Sequence, residues 1–154
     1  MTRRRRGRFN AQQVAPGLWV GSWPQEGEIG ALVDAGIDAV VDVRRERADG
    51  PHGWPEGVEV RTAALVDHGS PSVEEVRAAA AQVVELMRAG REVLVHCHAG
   101  FERAPTVACA ALVLTGWSLR DAYDAVVTAR PAARPTEGQL AALRALAQSL
   151  STAE

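Results

Sequence analysis

Residues 92–104 read Glu92-Val93-Leu94-Val95-His96-Cys97-His98-Ala99-Gly100-Phe101-Glu102-Arg103-Ala104. The run Glu92 to His96 is short and apolar with β-branched members, the pattern of a central strand buried on both faces. From about Ala104 to Thr115 apolar residues predominate, which predicts a buried helix. The seven residues from Cys97 to Arg103 form the loop between them. A strand that ends at a helix N-terminus aims several backbone N–H groups at one point, and the helix dipole adds partial positive charge there. Gly100 lets the backbone curl tightly around an anion. Arg103 offers a planar fork that grips two phosphate oxygens. At the base of such a cup N–H dipoles and Arg103 favour thiolate over thiol at Cys97, and a thiolate beneath a bound phosphate is a nucleophile aimed at phosphorus.

An isolated cysteine ordinarily reads as a small buried hydrophobe. Cys109 takes that reading, since it lies inside the apolar helix with no polar neighbour in sequence. Cys97 does not, because spacing, Gly100, Arg103 and the flanking elements agree. His96-Cys97-His98 also invites a metal reading. Alternate residues leaving a strand diverge, and no second ligand pair stands at a standard spacing, so no metal is expected. His96 is expected to support the loop by hydrogen-bonding its backbone, and His98 to point outward toward substrate.

Working outward, Leu18-Trp19-Val20-Gly21 predicts a short strand and Glu28 to Ala35 a helix capped by Gly36. Ala39-Val40-Val41-Asp42-Val43 predicts another strand buried on both faces. Arg44 to Glu56 reads as a loop, and Val58 to Val66 as a strand broken by Asp67-His68-Gly69-Ser70-Pro71. Ser72 with Glu75 three residues on is a capping box, opening a helix that runs to about Ala89 and ends at Gly90. Two more helices are expected, near Ser118 to Ala129 and Thr136 to Ser149, separated by the Pro-rich segment Arg130 to Pro135. Residues 1–13 read as a flexible, Arg-rich tail, residues 14–150 as the folded domain and 151–154 as a C-terminal tail. Strands alternating with helices predict a single α/β domain, with a mixed, mostly parallel sheet of four to five strands flanked by about five helices.

The bulk numbers exclude several classes. A chain of 154 residues suits one core. A net charge of −2 argues for neither nucleic acid nor membrane as partner. No apolar run approaches the roughly 20 residues that span a bilayer, and the basic opening lacks the apolar stretch of a secretory signal. Two cysteines build no disulfide framework and fit a reducing cytoplasm. Every basic residue except the histidines is Arg, and Ala is abundant, which reads as the habit of a GC-rich bacterial genome.

His96-Cys97-His98-Ala99-Gly100-Phe101-Glu102-Arg103 resembles the His-Cys-x5-Arg signature of the protein tyrosine phosphatases. The Ala-Gly pair and the short chain are similar to the dual-specificity branch. Val14-Ala15-Pro16-Gly17-Leu18-Trp19-Val20-Gly21-Ser22 resembles that family's opening strand, and Gly36 to Val43 its Gly-Ile-x-x-Val stretch. Pro135-Thr136-Glu137-Gly138-Gln139-Leu140 stands where the family has Pro-Asn before its last helix. The resemblance covers roughly residues 14–150. It implies hydrolysis of phosphate monoesters through a phosphocysteine, with a phosphorylated substrate, a phosphoprotein foremost, and no cofactor. Cys97 is then the nucleophile. His98, Ala99, Gly100, Phe101, Glu102 and Arg103 hold phosphate, and His96 supports the loop. The family's general acid is an Asp in a loop before the Cys, which points to Asp67, 30 residues upstream. The rival readings of that turn are that His68 is the acid, or that Asp67 merely starts the turn.

Three positions depart from the commonest family pattern. Ala104 stands where a Ser or Thr hydroxyl usually helps the thiolate leave, although Arg-Ala-Pro also occurs in a branch resembling the plant glucan phosphatases. Glu102 puts a carboxylate where a small residue is usual, and Glu-Arg also occurs in the rhodanese-fold cell-cycle phosphatases. Thr136 replaces the usual Asn. Alternative functions are a catalytically weak module that binds phospho-ligands, a phosphatase acting on phosphoglucan or phosphoinositide, and a rhodanese-like sulfurtransferase using the same cysteine.

Overall fold

Val40 on one side of a strand and Val41 and Val43 on the other demand cover on both sides, and both sides are covered. The computed structural model describes residues 9–44, 53–65 and 69–152. Along them run β1 (Ala11–Ala15), β2 (Leu18–Gly21), α1 (Glu26–Asp34), β3 (Ala39–Arg44), β4 (Glu59–Leu65), α2 (Val73–Arg88), β5 (Val93–His96), α3 (Arg103–Leu114), α4 (Leu119–Ala129) and α5 (Glu137–Ser151). The strands form one sheet in the order β1-β2-β5-β3-β4. β5 lies at its centre, parallel to both β2 and β3, and β4 is parallel to β3. Only the edge strand β1 is antiparallel, paired with β2. This is the expected single-domain, mostly parallel α/β architecture with five flanking helices.

The two faces are covered unequally. On one, Val41, Val43, Val93 and Val95 pack with residues of α2, α3, α4 and α5 in the main core. On the other, Leu32 and Ile37, from α1 and the turn after it, cover Val40 and Leu94 in a smaller cluster. α3 runs through the larger core and buries every residue from Arg103 to Val113. Such a helix, apolar but for Arg103 and Thr106, is stable only inside a protein. Its position pins the segment between β5 and α3 at the C-terminal edge of the parallel strands, where open α/β sheets bind their ligands.

Helix starts follow the cap chemistry. The Ser72 hydroxyl accepts from the Glu75 N–H (3.1 Å), and the Glu75 carboxylate accepts from the Ser72 N–H (2.9 Å). Thr136 and Gln139 make the same reciprocal box at α5, so Thr136 caps that helix with its own hydroxyl. A cap of this kind contributes about 1 kcal/mol.

Two boundaries need correction. Ala11-Gln12-Gln13-Val14-Ala15 was expected to be largely tail, with folding from Val14, yet it is β1. Apart from Val14, its small and polar residues carry little strand propensity of their own. The strand exists because it pairs with β2 across the turn at Gly17, whose φ of +79° favours glycine, and because Phe9 packs edge-on against Trp19. Arg44 was expected in a loop but ends β3, fully buried beside Asp42. The run Arg3–Arg6, most of the 44–56 loop and the last two residues lie outside the described residues.

Candidate active site

The loop from Cys97 to Glu102 leaves β5 and enters α3 with each of its carbonyls held by a donor from outside it or from its flanks. The Cys97 carbonyl accepts from His96 Nδ1 (3.3 Å). The His98 carbonyl accepts from the Trp23 N–H (3.0 Å) and the Phe101 carbonyl from the Arg134 N–H (2.6 Å). Arg130 serves two, donating from Nη2 to Ala99 O (3.1 Å) and from Nε to Gly100 O (2.7 Å). The Glu102 carbonyl accepts from the N–H and hydroxyl of Thr106. In a trans peptide the N–H points opposite to the C=O. Carbonyls turned outward therefore turn the N–H groups inward. One of them, the Gly100 N–H, reaches Cys97 Sγ at 3.2 Å, and the Ala104 N–H in the first turn of α3 reaches it at 3.4 Å. The result is a cup of N–H dipoles at a helix N-terminus with one buried sulfur at its base, an anion site by construction.

Gly100 is indispensable to that shape. Its φ is +77°, and an added Cβ would meet Arg130 Nη2 and the carbonyl of Gly21, the latter at 2.7 Å. Arg103, the first residue of α3, is buried, and its Nη1 donates to the Leu65 carbonyl at 3.4 Å. Leu65 is the last residue of β4, two positions before Asp67 in sequence. Asp67 and His68 themselves lie outside the described residues. At the rim, His98 is exposed while Phe101 and Glu102 are half-buried. Glu102 occupies the N-cap position of α3 without capping it through its side chain.

His96 lies on the α1 side of the sheet and borders the same cavity as Trp23, whose ring centroid stands 6.4 Å from that of His98. The carbonyl it contacts can only accept, so Nδ1 carries the hydrogen. Burial is the main cause pushing His96 down to about 4, against the attraction of Asp42 (Nδ1 to Oδ1 3.9 Å) and with the help of Arg44. It is a neutral imidazole at pH 7. Asp42 is itself held by Arg44, whose Nε and Nη2 reach its two oxygens at 2.9 and 2.8 Å, and the Arg44 guanidinium stacks 4.7 Å over Trp23. Trp23, Trp54, Asp42, Arg44 and His96 border a cavity of about 220 Å³ beside the loop.

Cys97, His96, Gly100 and Arg103, singled out in the sequence, thus come together. Arg130, Trp23 and the Asp42–Arg44 pair were not foreseen. Asp42 carried a signal, since a carboxylate inside a strand buried on both faces must have a partner, and Arg44 two residues on shares its face. Arg130 carried none. Burial pulls its guanidinium down from its ordinary value while the Cys97 sulfur works the other way. Cys109, inside the main core, is pushed by burial up to about 12.

Comparison with known proteins agrees with this geometry. The family model described as dual specificity phosphatase, catalytic domain, matches residues 18–149. Dual specificity phosphatase 28 of Mus musculus is 33% identical over 139 residues, covering 90% of this chain and 84% of that protein. Dual specificity protein phosphatase 12 of the same species is 33% identical over 131 residues, 84% of this chain but only 39% of that longer protein. Among solved structures, Tk-PTP in its active form superposes with a TM-score of 0.78 at 32% identity, covering 90% of this chain and 97% of that one. A match over most of the chain, carried on the same fold, settles the relationship: the chain belongs to the dual specificity phosphatases, which are cysteine-based phosphoric monoester hydrolases.

Proposed function

We propose that the domain hydrolyses phosphate monoesters of phosphoproteins through a phosphocysteine at Cys97. The observation that carries the reading is the outward tethering of every loop carbonyl from Cys97 to Glu102, which leaves a cup of N–H groups around one sulfur. Phosphate sits in that cup, its oxygens bound by the amides of His98 to Arg103 and by the Arg103 guanidinium. The Cys97 thiolate attacks phosphorus and the bond to the leaving oxygen breaks. Asp67 gives that oxygen a proton, and the alcohol departs. Water then attacks the phosphocysteine, Asp67 takes its proton, and the P–S bond breaks to return the thiolate and free phosphate. The contact between Arg103 and the last residue of β4 supports Asp67 in this role, because the chain leaves that strand beside the cup two residues before it. His96, neutral and fixed under the loop, holds the Cys97 carbonyl away from the anion.

Two free cysteines and a chain without lysine support residence in a reducing bacterial cytoplasm. Among the described residues no helix is long and apolar enough to cross a membrane.

A substrate panel tests the reading. Phosphate release is measured from an aryl phosphate, from phosphotyrosine and phosphoserine peptides, from a phosphoinositide and from phosphoglucan. Peptides should give the highest kcat/KM. Preference for phosphoglucan or phosphoinositide would overturn the phosphoprotein assignment. Binding of inorganic phosphate without hydrolysis of any ester would make the domain a binding module.

A further inference from the structure

Arg130 lies 30 residues from the loop carbonyls it serves and shares no element with them. Its residue is buried, with 2% of its surface exposed, and all three guanidinium nitrogens donate. One edge of the fork, Nε and Nη2, takes the carbonyls of Gly100 and Ala99. The remaining nitrogen, Nη1, is taken by Asn10 Oδ1 (2.9 Å) and Gln12 Oε1 (2.7 Å) from the start of the edge strand. The guanidinium is therefore a rigid plate between the N-terminal edge of the sheet and the back of the loop. The Gly100 N–H, on the far side of the peptide unit whose carbonyl Nη2 holds, is one of the two that reach Cys97 Sγ.

We propose that Arg130 is a positioning residue of the active site: by holding the Ala99 and Gly100 carbonyls outward it aims the Gly100 and Phe101 N–H groups at the bound phosphate and at the Cys97 thiolate. The role rests on the proposed use of Cys97 and the cup, and adds a second arginine that never touches substrate. It requires arginine and not merely a positive charge. Two carbonyls on adjacent peptide units are matched by two parallel N–H vectors of a planar fork, which a lysine ammonium on a flexible stem does not reproduce. The absence of a Cβ at Gly100 is part of the same design, since that atom would collide with Arg130 Nη2. The polar residues at the start of β1, weak as strand formers, have a reason to be polar: they fix the outer end of the plate.

The test measures loop geometry without turnover. The unmodified protein is treated with iodoacetamide at pH 6, with and without inorganic phosphate, and alkylation of Cys97 is followed by mass spectrometry. Inorganic phosphate affinity is measured by calorimetry. Arg130→Met and Arg130→Lys are expected to lose about tenfold or more in phosphate affinity and to be alkylated several-fold more slowly, with kcat falling more than KM rises. That is the pattern when donors to a developing charge are misaimed, each worth about 10²-fold or more at full strength. Equal phosphate affinity and alkylation in a folded Arg130→Met would overturn the proposal, as would full rescue by Arg130→Lys, which would leave charge alone as the cause. Should both variants fail to fold, Gln12→Leu leaves Arg130 in place and frees one of its outer contacts. A fall of about threefold in phosphate affinity supports the plate, and no change overturns it. A different failure marks the underlying reading: if phosphate does not protect Cys97 in the unmodified protein, the cup is not the phosphate site. Protection that is equal in the unmodified protein and in the variants removes only the role of Arg130.

Discussion

Cys97 and Cys109 stand twelve residues apart on one continuous stretch, both buried, both unpaired. At the mouth of α3 two N–H groups point at Cys97 sulfur, at 3.2 and 3.4 Å. In the helix interior the N–H groups are spent on the helix itself, and Cys109 lies in the main apolar core, where burial pushes its thiol up to about 12. Burial alone thus makes a cysteine inert. Burial at a helix N-terminus, with carbonyls tied back, makes an anion site of the same side chain. Solvent exposure does not separate the two, at 3% and 0%; the direction of the surrounding peptide dipoles does.

The largest effect expected is the one that exchanges these roles. Cys97→Ser should lower turnover by about 10⁴- to 10⁶-fold, the scale of losing a covalent nucleophile, while inorganic phosphate still binds. Cys109→Ala should leave kcat within about twofold and cost about 1 kcal/mol of stability for the small cavity. Steady-state assays with an aryl phosphate and chemical denaturation measure both. A Ser variant that kept more than about a hundredth of the rate would show that the sulfur is not the nucleophile, since a hydroxyl lacks the activation a thiol receives there.

Next is the proton donor proposed at Asp67. Asp67→Asn should cost about 10²- to 10⁴-fold on alkyl phosphates, the range of a lost general acid. An aryl phosphate leaves with little protonation and should lose far less. Equal losses on the two substrates would assign Asp67 a structural part and return His68 to consideration.

Much of this was legible in the sequence because it is local. The strand before Cys97, the tight turn at Gly100, the helix that opens at Arg103 and the capping box at Ser72 are each written within a few residues, and each appears as expected. β1 was not legible, because Gln12 and Gln13 say nothing of strands until β2 and Arg130 are beside them. Arg130 was not legible for the same reason. Its partners are 30 and 118 residues away, and a guanidinium in a Pro-rich turn looks like a solvated charge until the fold closes around it. Asp42 was legible in principle, as a charge inside an apolar strand, yet its meaning depends on Arg44, which stands just past the apolar run and only the fold buries beside it.

The strand side of the cup can be probed by pH. His96 is neutral in the fold and is pushed down to about 4, mainly by burial, whereas an exposed histidine titrates near 6.5. Between those values the unfolded chain binds a proton that the native state refuses. Stability from this group is therefore complete above about pH 6.5 and is lost as pH falls toward 4, by about 3 kcal/mol in all. His96→Asn should remove that slope, so that its loss of stability from pH 7 to pH 4.5 is about 2 to 3 kcal/mol smaller than in the unmodified protein. Urea titrations at the two pH values measure the difference. An identical slope in the variant would mean that His96 titrates as if exposed and is not the dry support of the loop.

The smallest effect concerns Ala104, which sharpens the contrast between the two ends of α3 by a single atom. Its N–H donates to Cys97 Sγ at 3.4 Å, but its methyl group, fully buried, has nothing to donate. Breakdown of the phosphocysteine must regenerate a thiolate, and one more donor at that moment would stabilise it. A charge-assisted bond of this kind is worth roughly 1.5 to 3 kcal/mol, less the cost of burying a hydroxyl when the bond is not made. Formation of the phosphoenzyme gains nothing from such a donor, because there the thiolate is consumed. With Ala104 the second step is therefore the slower one, and rapid mixing with an aryl phosphate should give a burst of alcohol before the steady state. Ala104→Ser should raise kcat by about 3- to 100-fold and shrink the burst, tenfold corresponding to about 1.4 kcal/mol. A linear time course in the native protein, with kcat unchanged in the Ser variant, would show that the N–H groups of Gly100 and Ala104 already meet the whole need of the departing thiolate. The backbone alone would then account for the difference between Cys97 and Cys109.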